Sequence, residues 1–194
     1  FQKIIFLIIL IPMSVFLISN QLQYEDDISI LVNNSGPYIG TSVPHNDGYD
    51  GSGIIISVID TGVDLDHPDL LGFGIEGKII GGYDFIDNDE MPEDTNGHGT
   101  QVTGIIASNG NLKGIAPNLK ILAYRVSENG ESVSSHLIIK AIEKSIEDGA
   151  NIINISLGVN QTSSKIDQMV TKAVENNIFV VTAAGNFGPE LSTI

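Results

Sequence analysis

Four short β-branched runs separated by helical patterns predict an α/β fold: a doubly wound, mostly parallel sheet with helices on both faces. Three observations carry that expectation. The runs hold apolar side chains at successive positions, as strands buried on both faces do. The segments between the later runs show apolar residues three and four apart, the spacing of one helix face. Polar motifs stand directly after the runs, at what would be the carboxyl edge of such a sheet.

The first run is Ile54–Ile59, stopped by Asp60-Thr61-Gly62, and Lys120–Val126, Ala150–Ser156 and Ile178–Ala183 read the same way. A helix is expected over Ser135–Asp148, with Leu137, Ile138, Ala141, Ile142 and Ile146 on its buried face and Gly149 as C-cap. A second is expected over Ser164–Asn177, with Ile166, Met169, Val170, Ala173 and Val174 buried and Ser163 or Ser164 as N-cap. A third, apolar helix over Val102–Ala107 follows a glycine-flanked loop. Residues 20–50 are polar and turn-rich and read as a linker (20–37) and an arm lying on the domain; the domain proper is assigned to residues 38–194.

Composition narrows the function. The 194 residues suffice for one medium domain, and 42% hydrophobic content excludes a disordered chain. A net charge of -15 would repel phosphate backbones, so nucleic acid is not an expected partner. The absence of cysteine excludes disulfides, thiol catalysis and thiolate metal sites. Lys3 followed by the apolar run Ile4–Ile18 has the pattern of a signal peptide or a membrane anchor over residues 1–19. It is short for a spanning helix, which needs about 20 apolar residues. Export to the medium or the cell surface is expected from it.

Three polar signals fall at the predicted strand edge or the helix start. They are Asp60 in Asp60-Thr61-Gly62-Val63-Asp64, His98 in Asn96-Gly97-His98-Gly99-Thr100, and Asn186 in Ala183-Ala184-Gly185-Asn186. Singly, each reads as an ordinary turn or cap residue. In this order, together with His67-Pro68-Asp69-Leu70, Gly114-Ile115-Ala116-Pro117, Ala123-Tyr124-Arg125-Val126 and Ser156-Leu157-Gly158, they resemble the subtilisin-like serine peptidases, the subtilases, over residues 38 to 194.

The resemblance implies a serine endopeptidase working through an Asp-His-Ser triad. His98 is the implied base, Asp60 orients its ring, and Asn186 donates to the developing oxyanion. Asp60 and His98 are then expected within hydrogen-bond reach, about 2.6–3.2 Å. A peptide or protein substrate in extended conformation is implied to lie between Gly130-Glu131-Ser132 and Ser156-Leu157-Gly158. Ala183-Ala184-Gly185 would wall the pocket for the side chain before the cut. The Gly-Thr-Ser-Met-Ala motif that carries the family's nucleophile is absent from these residues, and Ser192 lacks its neighbours, so the chain is expected to be inactive by itself. Gln101 and Val159 also depart from the family's frequent residues.

The acidic stretch 84–94 resembles a calcium loop of thermitase-type subtilases. That resemblance implies a structural Ca²⁺ ion ligated by Asp84, Asp87, Asp89, the Met91 carbonyl and Glu93. A second family calcium site, at the position of Asp69, is not expected because the loop 108–113 is short for it. A monomer is expected. A catalytically dead, peptide-binding homologue remains open as the rival reading; an unrelated α/β domain binding nucleotide is disfavoured by the lack of a glycine-rich phosphate loop.

Overall fold

The computed structural model describes residues 36–130, 133–158 and 163–185. Five strands form one sheet: β1 (Ile55–Asp60), β2 (Ile79–Asp84), β3 (Lys120–Arg125), β4 (Ile152–Ile155) and β5 (Phe179–Thr182). Their order is β2-β3-β1-β4-β5 and every pairing is parallel. Among the described residues the sheet is accompanied by the α-helices α1 (Ser42–Asn46), α2 (His98–Ala107), α3 (Ser135–Glu147) and α4 (Ser164–Glu175), with a 3₁₀ turn at Pro68–Leu70. This is the α/β doubly wound architecture expected from the apolar runs.

β1 shows why the fold takes this form. Its side chains alternate between two cores. Ile56 and Val58 join Ile106 and Ala107 of α2, with Leu70, Ile121 and Ala123. Ile59 joins Ile138, Ala141 and Ile142 of α3 and Ala173 of α4, with Leu122, Tyr124, Ile153 and Ile155. Both faces of β1 are therefore covered, which a continuous apolar run serves, whereas β5, expected to be buried in the same way, lies at the sheet edge with exposed and half-buried side chains. Each fully buried Ile or Val contributes about 1.5–3 kcal/mol. The polar residue in that run, Ser57, is satisfied by the hydroxyl of Ser145 at 2.6 Å, which in turn donates to the Ala141 carbonyl at 2.6 Å.

β2 is a strand that the run-based reading omits. Gly81 and Gly82 interrupt its apolar pattern, and it lies at the sheet edge beside β3. Gly82 is required there: at φ 153° its backbone approaches β3 so closely that a Cβ would fall on the Ala123 carbonyl. Local propensity loses here to a tertiary contact. A second difference concerns α2, which starts at His98 itself, so the histidine occupies the first helical turn and not the preceding loop.

Two side-chain contacts tie residues 45 and 50 to the body. His45 Nε2 lies 2.8 Å from the Ile115 carbonyl oxygen, and Asn118 Nδ2 donates to Asp50 at 2.7 Å. Ser134, just before α3, accepts from the His136 amide at 3.3 Å, and Gly149 after it takes φ 78°. Ser163 is the N-cap residue of α4 but makes no side-chain cap bond. The apolar run 4–18 lies outside the described residues; among those described, no helix is long and apolar enough to cross a membrane.

Candidate active site

β1 ends on a charged residue where its two neighbours also end. Asp60 pairs in register with Arg125, the last residue of β3, and Ile59 pairs with Ile155, the last of β4. The loops leaving β1, β3, β4 and β5 consequently meet at one edge of the sheet, the place where such sheets bind ligands. Asp60, Gly130, Ser156–Gly158 and Ala183–Gly185 all lie in the strand ends and loops of that edge. Ala183 is held beside β4 by its amide, which donates to the Ile155 carbonyl at 3.1 Å.

Asp60 is completely buried, and its Oδ1 lies 2.6 Å from Nδ1 of His98, whose side chain is 13% exposed. An ionised carboxylate only accepts, so Nδ1 carries the proton and Nε2 keeps the lone pair. The Thr61 amide also donates to Oδ1, at 2.7 Å. Asp60 Oδ2 is buried without a hydrogen-bond partner among the described residues. Burial disfavours the charged imidazole, but the hydrogen bond and charge of Asp60, joined by the charge of Asp94, outweigh it and hold His98 above its ordinary value.

Two segments far apart in sequence must meet to make this pair, and backbone contacts bring them together. The Val63 amide donates to the Pro92 carbonyl at 2.9 Å, and the Asp94 amide donates to Val63 at 3.3 Å. Gly99, in the first turn of α2, packs directly on the β1–loop junction: a Cβ there would overlap the Gly62 carbonyl and stand 3.1 Å from Asp60 Cβ. Glycine after the histidine is thus a requirement of close approach. Gly130 lies against the same place, where an added Cβ would stand 3.9 Å from His98 Cβ and 3.6 Å from Thr61 Cγ2.

Asp94 is not among the residues that the motifs single out; in sequence it is one more acid of the 84–94 stretch. Its Oδ1 accepts from Thr61 Oγ1, the Asn96 amide and the Gly97 amide, each at 2.9 Å. Its Oδ2 accepts from the Thr100 amide at 2.9 Å and Thr100 Oγ1 at 2.6 Å. The signal that marks it is Asp-x-Asn-Gly running into a helix start, where short acidic side chains take orphan amides.

The remaining acids of that stretch are arranged differently from a cation cage. Arg125 Nη1 donates to Asp84 Oδ2 and Asp87 Oδ2, both at 2.7 Å, and Nη2 to Thr95 at 3.1 Å. Asp84 Oδ1 takes the amides of Ile86 and Asp87, and Asp89 Oδ1 takes that of Met91. Partial desolvation, joined by the charges of Asp64, Asp66 and Asp94, raises the Glu93 carboxyl against the lowering effect of a Leu65 backbone hydrogen bond. Among the described residues, no cluster of three or more acidic or histidine side chains is arranged to hold a metal ion. The hard oxygens of this stretch suit Ca²⁺ in type, and Asp84 and Asp87 are engaged with Arg125. At Asp69 the short loop 108–113 is held by the carboxylate itself, which accepts from the Asn111 amide at 2.7 Å and the Leu112 amide at 3.2 Å.

Asn186, Glu131 and Ser132 lie outside the described residues. A cavity of about 340 Å³ lined by Ser52, Lys78, Asn118 and Lys120 opens at the other end of the strands, away from His98.

Comparison with known proteins agrees with this geometry. Residues 51–194 match the family model described as the subtilase family. The chain is 38% identical over 182 residues to the minor extracellular protease Vpr of Bacillus subtilis strain 168, covering 88% of this chain and 22% of that protein. It is 41% identical over 143 residues to thermitase of Thermoactinomyces vulgaris, covering 72% of this chain and 50% of that one. The crystal structure of a cold-adapted subtilisin-like serine proteinase superposes with TM-score 0.62 at 34% identity, covering 71% of this chain and 48% of the other. The chain therefore spans half or less of these relatives.

Proposed function

The chain belongs to the subtilase family, and from that premise we propose that it supplies the Asp-His part of a serine endopeptidase whose serine comes from sequence beyond these 194 residues. The observation that carries the reading is the 2.6 Å contact between buried Asp60 and His98 at the carboxyl edge of the sheet. Serine Oγ would bond to the scissile carbonyl carbon as its proton passes to His98 Nε2; the C–N bond would break as that proton passes to the leaving amine. Water would repeat the sequence and free the serine. Asp60 holds the tautomer and stabilises the charged ring, and Asn186 is the proposed side-chain donor to the oxyanion. An extended peptide would run between the loops at Gly130 and Ser156–Gly158, with Ala183–Gly185 beside it. The enzyme would act as a monomer.

The test is to extend the chain through its serine-bearing segment. Peptide hydrolysis sensitive to a serine-directed phosphonylating reagent should appear, while residues 1–194 alone show none. A full-length protein that binds peptides but never labels would be the catalytically dead homologue.

Export through residues 1–19 is a separable part of the proposal, supported by Lys3 and the apolar run 4–18. Residues 1–35, given a start methionine and fused to a reporter active only outside the cell, should produce signal; reporter confined to the cytoplasm refutes it. A structural Ca²⁺ at the 84–94 turn is also separable. Binding would draw Asp87, whose side chain is 65% exposed, from Arg125 toward Asp89. A ligand selective for the folded state raises stability in proportion to ln(1 + [L]/Kd). The full-length enzyme should then melt higher in millimolar Ca²⁺, with the gain reduced in Asp89→Ala, which leaves the Arg125 contacts intact; a melt indifferent to Ca²⁺ removes the ion.

A further inference from the structure

We propose that Asp94 is a positioning residue for the triad, which locks the Asp60 loop to the His98 helix and presents a second negative charge to the imidazole. The inference rests on the reading of Asp60 and His98 as catalytic. Asp94 is half-buried, and its two oxygens receive five hydrogen bonds from two separate segments. Thr61, the residue after Asp60, gives one of them, and the other four come from Asn96, Gly97 and Thr100 around the start of α2.

Thr61 closes the link from the other side. Its hydroxyl donates to Asp94 and simultaneously accepts from the Gly99 amide at 2.9 Å. Thr100 does the same in the opposite direction: its hydroxyl donates to Asp94 and accepts from the Asp64 amide at 2.9 Å. The carboxylate and two threonines thus tie the segment after Asp60 to the helix start that carries His98. Rotation or withdrawal of α2 would break several of them at once.

The partners are all neutral donors. No Lys or Arg neutralises Asp94 among the contacts described, so its charge remains to act on the ring. Among the described residues, the charges that act on His98 include Asp60 from the end of β1 and Asp94 from the loop before α2, and Gly130 lies against it from the loop after β3. A second anion near the imidazole favours the protonated form that exists between the two proton transfers.

The experiment uses the full-length protein. Asp94→Asn keeps the shape and removes the charge. Its kcat should fall about 10- to 10²-fold from lost alignment, with KM little changed. The acid limb of its kcat/KM profile should move to lower pH, a shift that loss of packing alone would not produce. Wild-type kcat with an unmoved limb overturns the inference. Should Asp94→Asn fail to fold, Thr100→Val and Thr100→Ser decide: the valine variant should lose kcat at constant KM and the serine variant should recover it. Equal kcat in both variants and wild type overturns it. Failure of the underlying reading looks different: the unmutated protein would then show no phosphonylation-sensitive activity, or His98→Ala would leave activity intact.

Discussion

Two carboxylate clusters flank one loop of this chain and end up with opposite characters. Asp60 and Asp94 meet only amides, hydroxyls and an imidazole. Asp84 and Asp87 meet the guanidinium of Arg125, itself buried. A guanidinium never gives up its proton in a protein, so the second cluster is closed electrostatically and serves as a strut. An imidazole titrates, so the first cluster can shift where a proton resides. The same residue type meets a titrating or a permanently charged partner according to its place in the fold.

The strongest way to break this comparison is to remove the titrating partner. His98→Ala in the full-length enzyme should lower kcat by at least about 10²–10⁴-fold, the range for general acid–base catalysis. Burst kinetics with an ester substrate would measure it, and a loss below tenfold would place the base elsewhere. The strut should answer in stability instead. Arg125→Met leaves Asp84, 1% exposed, buried without its cation, and should cost about 3–5 kcal/mol in urea denaturation. A cost near zero would show that the pair is replaceable. Asp87→Asn, at the exposed end of the same strut, should cost less than about 1 kcal/mol.

The smallest expected effect is a pH dependence of folding. The folded His98 value is raised, so its stabilising contribution is complete below the unfolded value, about 6.5. It is lost as pH rises through the folded value. Denaturation midpoints of the wild type should therefore decline with pH from about 6.5 upward relative to those of His98→Gln. Parallel midpoints in the two proteins would mean that the Asp60–His98 contact adds nothing to the native state.

Much of the fold was legible because burial on both faces leaves no alternative to the runs at β1, β3 and β4; β5 also forms where its run stands, but at the sheet edge with Phe179 exposed. β2 was not legible: Gly81 and Gly82 break its apolar run, and only the nearness of the β3 backbone makes glycine a strand residue there. The meeting of Asp60 and His98 was legible because their motifs carry neighbours such as Gly99, whose missing side chain lets α2 reach β1. Asp94 was hidden among acids of similar appearance, since nothing local separates a carboxylate that binds five donors from one that binds arginine.

The sequence by itself determined the sheet-and-helix alternation, the order of the aspartate and histidine motifs, and the acidic surface, because each is a property of residues close together in the chain. Tertiary structure alone decided which carboxylates face His98 and which face Arg125. Those partners are separated by 38 residues for Asp60 and His98 and by 41 for Asp84 and Arg125. Hydrogen bonds and charge act over a few ångströms, so a choice between two acids is made only after the strands and loops carrying them have been brought together.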